Sequence, residues 1–178
     1  MRTALLRPAA LAIALSAAAC TAPGSGTMSL GTGSAAATLR NAAGETVGTA
    51  ILSEATVGLL LSGTLTGVPA GTHAIHVHAV GQCTPTFAAA GGHFNPRERR
   101  HGFLSPDGHH AGDLPNLHVA AGSGMFELTL PGVRLGGSDG LLDADGAALV
   151  VHAGADDYKS DPAGASGDRI ACGVIAAR

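Results

Sequence analysis

The stretch at residues 91–117, GGHFNPRERRHGFLSPDGHHAGDLPNL, constrains this chain more than any other. Its density of Gly, Pro and charge gives neither the 3.6-residue apolar period of a helix nor the two-residue alternation of a strand. It nevertheless carries His93, His101, His109, His110 and Asp113. Ordering a loop costs about 1–2 kcal/mol of backbone entropy per residue, and so polar a stretch has little apolar surface to offset that cost. Imidazole with carboxylate oxygen is a donor set for zinc or copper rather than for magnesium or calcium. The loop is therefore expected to fold around an ion.

The remainder reads as short strands. The chain holds 27 Gly and is 46% hydrophobic, yet only 3% aromatic and without Trp, a composition suited to tight turns between strands of Val, Ile, Leu, Thr and Ala. A length of 178 residues allows one domain with one core. Strands are expected at residues 36–40, 47–52 and 57–66, forming an antiparallel meander with turns at 41–45 and then at Pro69 and Gly71. Residues 117–121 and 124–130 look like a hairpin. Residues 132–146 are loop-rich, and residues 147–151 form a strongly apolar strand ending in His152. A second loop rich in Gly, Pro and Asp follows over 153–167, before a last strand at 169–176 that carries Cys172.

Residues 72–79, THAIHVHA, add further imidazoles. Strand side chains alternate, so His76 and His78 share one face while Ile75 and Val77 take the other. The two stand about 7 Å apart along the strand and grip one ion where the strand twists. His-x-His alone is a weak signal, since an isolated strand histidine is more often hydrogen-bonded in place. His73, off that face, is assigned to this plainer class, and His118 is expected to be structural or exposed.

At the N-terminal end, Arg2 and Arg7 accompany an apolar run over residues 9–19, long enough for the core of a signal peptide and too short to span a bilayer. Ala17, Ala18, Ala19 and Cys20 resemble a bacterial lipoprotein signal, in which the cysteine is acylated and becomes the new N-terminus. The usual Leu three places before the cysteine is Ala17 here, and plain cleavage after an Ala-x-Ala site fits the same residues. Residues 1–19 are thus expected to direct export, residues 20–33 to form a flexible tether, and residues 34–178 to fold. The three cysteines, Cys20, Cys83 and Cys172, leave one pair and one remainder in an oxidising compartment. If Cys20 carries lipid, Cys83 and Cys172 form the pair; two unconnected buried thiols are the alternative. A net charge of −3 and a single lysine, Lys159, argue against a nucleic-acid partner, which needs clustered positive charge. The run Arg97, Arg99 and Arg100, diluted by Glu98, reads as a solvated turn, and membrane contact is expected only through a lipid at Cys20.

Taken in order, HVH, GQC, GGHFNP, HG, HAGDLPN, VVHAGADD and GDRIACGVI resemble the copper/zinc superoxide dismutases, nearest to their exported bacterial branch, over nearly all of residues 34–178. The resemblance implies an all-β fold, a Greek-key antiparallel β-sandwich or flattened eight-stranded barrel with two long loops forming a metal site. It implies copper on His76, His78, His93 and His152, and zinc on His93, His101, His110 and Asp113, with His93 shared as a bridging imidazolate. Four imidazoles suit a copper that changes oxidation state, whereas three imidazoles and a carboxylate complete a closed tetrahedral zinc site. Only His110 has the His-x-x-Asp relation to Asp113, so His109 is expected to face solvent. Asp156 stands where the family has an aspartate joining the far nitrogens of one copper-bound and one zinc-bound histidine, here His76 and His101. Arg169 matches the arginine beside the copper channel that docks superoxide, with Lys159 as a second local cation. The implied reaction is dismutation of superoxide to oxygen and hydrogen peroxide in the periplasm, protecting the cell envelope, by a homodimer or a monomer. A copper and zinc storage module with the same fold and no turnover is the alternative. A zinc hydrolase fits less well, because the zinc set is already four-coordinate.

Overall fold

Apolar alternation sets the first three strands. A computed structural model describes residues 33–178; the expected signal peptide, Cys20 and all of the tether but its last residue lie outside the described residues. Strand β1 (Ser34–Arg40) buries Ala35, Ala37 and Leu39, β2 (Thr46–Ala55) buries Val47, Ala50 and Leu52, and β3 (Gly58–Thr66) buries Leu59, Leu61 and Leu65. They pair antiparallel in sequence order, as the meander expects. The β2–β3 turn depends on Gly58, whose φ is +151° and whose Cβ, were there one, would lie 2.0 Å from the Leu130 carbonyl oxygen. No side chain fits there.

The chain continues through β4 (Gly71–His73), β5 (Ile75–His78), β6 (Leu117–Val119), β7 (Ser123–Pro131), β8 (Ala148–His152), β9 (Arg169–Val174) and β10 (Ala176–Ala177), with one short 3-10 turn at Phe87–Ala90. The main sheet runs β5-β8-β9-β1-β2-β3-β7, and β10 also pairs with β1. β4 leads through Ala74 into β5 at one edge, and β6 leads into β7 at the other. The β4–β6 pair therefore draws the two edges together and curls the sheet into the flattened Greek-key barrel. The two long connections, residues 79–116 and 153–168, follow β5 and β8 and leave opposite ends of that antiparallel pair.

Three local expectations differ from the structure. Residues 117–130 do not form a hairpin ladder: β6 pairs with β4 and β7 with β3, and only Ala120 and Ser123 bond across the reversal. The reason is burial, since nine consecutive residues of β7 register against β3 while Leu117 and Val119 turn into the core beside β4. The 72–79 strand breaks at Ala74, whose N–H donates to Gly154 O and whose carbonyl accepts from His152 N–H, both at loop residues or strand ends. The last strand breaks at Ile175, whose N–H donates to Ala147 O, so that β10 can switch to β1.

The apolar run of β8 is buried on both faces, which explains why it does not alternate. Leu149 and Val151 join the barrel core. Ala148 and Val150 face the other way, into a second cluster with Ala90, Cys172, Phe87 and Cys83. That cluster is the underside of the first long loop, and the Cys83–Cys172 disulfide bolts the loop to β9 across a separation of 89 residues. In the loop-closure model a bridge of that span stabilises the fold by up to about 4–5 kcal/mol. Cys83→Ser is therefore expected to lower the denaturant midpoint of the metal-loaded protein, and an unchanged midpoint would refute that contribution.

Candidate metal centre

Strand β5 presents the first two imidazoles. Ile75 and Val77 face the core, so His76 and His78 face away from it, and both are nonetheless fully buried. What covers them is the first long loop. Its two arms lie along the free edge of β5, where Val77 N–H donates to Gly112 O and Phe94 N–H donates to Val77 O, at 2.9 and 2.8 Å. The isolated bridges His76–Asp113 and His78–His93 extend the pairing. An irregular loop thereby satisfies an exposed strand edge. The approach is close enough that a Cβ on Gly112 would sit 2.3 Å from Val77 O.

His93 enters on one arm of this loop, His110 and Asp113 on the other, and His101 at its middle, while His152 arrives from the end of β8. The donor atoms of His76, His78, His93 and His152 all lie within 4.8 Å of one another, and those of His93, His101, His110 and Asp113 do the same. All seven residues are buried. His93 belongs to both groups, its ring centroid 4.0 Å from that of His76 and 5.3 Å from that of His110.

In the first group, the nitrogens left without a hydrogen-bond partner are His76 Nδ1, His78 Nε2, His93 Nε2 and His152 Nε2. They are the only such buried side-chain atoms among the described residues. Each ring's other nitrogen is engaged: His76 Nε2 with Asp156 Oδ2 at 2.9 Å, His78 Nδ1 with Gly91 O at 2.9 Å, His93 Nδ1 with Asp113 Oδ1 at 2.8 Å, and His152 Nδ1 with Ser166 Oγ at 3.1 Å. A buried polar atom without a partner costs about 1–3 kcal/mol, so four that converge fit a cation that takes imidazole donors. Copper is such a cation.

The second group has another geometry. Asp113 Oδ1 lies 2.8, 3.1 and 3.2 Å from the Nδ1 atoms of His93, His101 and His110, and the last lies 3.3 Å from His93 Nδ1. A tetrahedron with about 2.0–2.1 Å from centre to corner has edges of about 3.3 Å, so three imidazoles and one carboxylate fit zinc. Asp113 Oδ2 is held separately by the N–H groups of Gly102 and His110.

Asp156 links the two groups from behind, with Oδ2 on His76 Nε2 and Oδ1 on His101 Nε2 at 2.9 and 3.0 Å. Sequence reasoning missed its holder, Asn116, although that residue closes the HAGDLPN motif. Asn116 Nδ2 donates to Asp156 O, and Asp156 N–H donates to Asn116 Oδ1. Ser166 and the carbonyl of Gly91 were missed as well, and nothing in the local sequence points to either. Arg169, at the start of β9, donates to Phe87 O at 2.6 Å and to Gly91 O at 2.7 Å. Its guanidinium thus shares an acceptor with His78.

Burial sets the charge of the imidazoles. It lowers His78 to about 2 and His152 to about 3, and lowers His93 to about 4 against the opposing pull of Asp113. All three are neutral at pH 7. Burial acts the same way on His101, but the hydrogen bonds and charges of Asp113 and Asp156 outweigh it and raise that residue to about 9. Both aspartates, which burial alone would push up, are held well below the usual carboxylate range by bonds from the histidines.

The other histidines stand apart, as expected. His73 is buried and bonds to Pro69 O and His152 O, His109 is exposed against the ring of Phe103, and His118 is exposed beside Thr72 Oγ1.

Comparison with known proteins agrees with this geometry. The family model described as copper/zinc superoxide dismutase (SODC) matches residues 46–175. The chain belongs to the copper/zinc superoxide dismutase family. It is similar to superoxide dismutase [Cu-Zn] 2 of Aquifex aeolicus, 47% identical over 78% of this chain and 84% of that protein. Superoxide dismutase [Cu-Zn] of Caulobacter vibrioides is 45% identical over 80% and 85%. Among solved structures, a SOD-like protein from Bacillus subtilis superposes with a TM-score of 0.75 at 39% identity, over 78% of this chain and 96% of that one. This member of the family is thus an oxidoreductase acting on superoxide, with copper and zinc as its metals.

Metal binding needs neutral imidazole, yet His101 holds a proton below about pH 9 in the metal-free protein. If zinc binds through His101, its uptake at pH 7 is expected to displace the proton of that residue, a contribution that fades above about pH 9. Calorimetric titration in two buffers of different ionisation enthalpy measures this, and no buffer dependence at pH 7 would contradict it.

Proposed function

We propose that copper binds through His76, His78, His93 and His152, that zinc binds through His93, His101, His110 and Asp113, and that His93 joins them as a bridging imidazolate. The observation that carries this reading is the double engagement of one ring. His93 Nε2 is among the converging bare nitrogens, while His93 Nδ1 is among the donors gathered on Asp113. Copper held by these residues would supply the one-electron redox chemistry that dismutation needs.

The chain's own residues supply binding and protons. His93 would take up a proton at Nε2 as one superoxide is oxidised and give it back as the next is reduced, with water supplying the second proton that hydrogen peroxide needs. Asp113 and the neighbouring imidazoles keep the ring in place while it does so. Arg169 docks superoxide: a guanidinium remains charged at any relevant pH and donates hydrogen bonds to an oxygen anion. Two of its N–H groups are spent on the Phe87 and Gly91 carbonyls, which hold the remainder pointed and still. With a net charge of −3 over the chain, attraction of an anion is local, carried by Arg169 and Lys159, and weakens with salt. A copper and zinc storage module with the same donors would have no use for a guanidinium held beside His78. That contact favours turnover.

The protein acts outside the cytoplasm, in the periplasm, where it protects the cell envelope. Residues 1–19 direct export, residues 20–33 form the tether and residues 34–178 the enzyme. The Cys83–Cys172 disulfide suits an oxidising compartment and uses two of the three cysteines, which supports lipidation of Cys20.

The primary test measures superoxide consumption and metal content on the same purified sample. One copper and one zinc per chain with rapid consumption supports the reading; both metals without consumption supports storage. Arg169→Glu is expected to retain copper and to lose at least about tenfold in kcat/KM at low ionic strength, the cost of one reversed electrostatic contact. Cys20→Ser is expected to free active enzyme from the membrane fraction, and an N-terminal peptide without an acyl mass in the unaltered protein would decide for plain secretion.

A further inference from the structure

We propose that Ser166 is a positioning residue for the copper site, its hydroxyl holding His152 in the tautomer and orientation that presents Nε2 to the ion. The inference rests on the reading of His152 as a copper ligand. Ser166 is 1% exposed, and a serine hydroxyl is rarely buried so fully without a task. Its O–H donates to Ala163 O at 2.8 Å. A hydroxyl has one proton, so what it turns toward His152 Nδ1, 3.1 Å away, is a lone pair. Nδ1 must then carry the ring proton and Nε2 the lone pair. Nε2 is the atom that converges with the other three bare nitrogens. Gly167 O, 3.3 Å away, is a second and longer acceptor for the same Nδ1 proton, so the hydroxyl and that carbonyl fix one tautomer together.

The turn that presents the hydroxyl is built for the purpose. Gly164, Ala165 and Gly167 have φ of +66°, +51° and +75°, and Ala165 takes a left-handed conformation without being glycine, a cost that persists only where the surroundings impose it. Ser166 N–H donates to Ala163 O, and Ser166 O accepts from Gly154 N–H, two residues after His152. Backbone and side chain of one residue therefore grip the same segment. The turn also presses Gly164 against Asp156, where a Cβ would lie 1.8 Å from Oδ1. Three of the copper-side rings thus rest on different acceptors: a carboxylate behind His76, a backbone carbonyl behind His78, and a hydroxyl with a longer carbonyl contact behind His152. A ring backed by a neutral hydroxyl is a weaker donor than one backed by a carboxylate, which makes the copper set electronically unequal.

The test compares the unaltered chain with Ser166→Ala and His152→Ala, each loaded with copper and zinc. Copper affinity is read by competition with a chelator, the cupric site by electron paramagnetic resonance, and zinc content on the same samples. Ser166→Ala is expected to weaken copper binding about tenfold, the lower end of what loss of such a partner costs, to change the resonance spectrum, and to leave zinc in place. In the reduced protein, the His152 Nδ1–H resonance is expected to exchange with solvent faster in the variant. Unchanged copper affinity and spectrum in Ser166→Ala, with copper lost in His152→Ala, would overturn the role of Ser166 alone. Copper retained in His152→Ala would overturn the ligand reading beneath it. Parallel loss of zinc and copper in Ser166→Ala would mark a merely structural residue and also overturn the proposal.

Discussion

Six imidazoles and two carboxylates lie buried together between β5 and the loops that cover its outer face: His76, His78, His93, His101, His110, His152, Asp113 and Asp156. Removing such groups from water is costly unless each is paired. Half of the pairing is internal, since the two aspartates accept from four of the rings. The other half is left to the proposed cation, because four nitrogens converge with no partner in the protein. The first loop buries Ala90, Phe94 and Leu114, and the polar cluster adds to what orders it, so metal binding couples to folding.

Such a cluster needs a rigid frame on every side. β5 supplies an edge onto which both arms of the first loop bond, and β8 supplies His152 from a strand packed on both faces. The disulfide and the small cluster around Ala90 hold the underside of that loop against β9. On the proposed assignments, anion docking and ligand orientation meet at a single atom. Gly91 O receives N–H groups from both His78 and Arg169, so a displacement of the loop there moves the copper side and the anion-docking guanidinium together.

The second loop works from the opposite side through short-range constraints. Asn116 clasps the backbone of Asp156, Gly164 lies flush against its carboxylate, and Ser166 sits behind His152. A few residues with little apolar surface thereby brace two elements of the site at once. Their identities follow from space and hydrogen-bond geometry rather than from hydrophobic burial.

Much of this was legible in the chain. The period-two faces of 75–78, the polar histidine loop and the apolar run before His152 are local properties that mark the histidines and the barrel strands, while the family resemblance of the motifs picked out the donors, Asp156 included, and set His109 aside. The amino-acid sequence by itself determined the all-β class, the eight ionisable residues of the cluster and the split of His76 and His78 from Ile75 and Val77. Only the tertiary structure decided that β6 pairs with β4 rather than with β7, that Asn116 and Ser166 belong to the centre, and which nitrogen of each ring is bare. Those outcomes depend on groups such as Asn116 and Asp156 or His152 and Ser166, far apart along the chain and brought to about 3 Å by the closed sheet, and no local pattern encodes a distance of that kind.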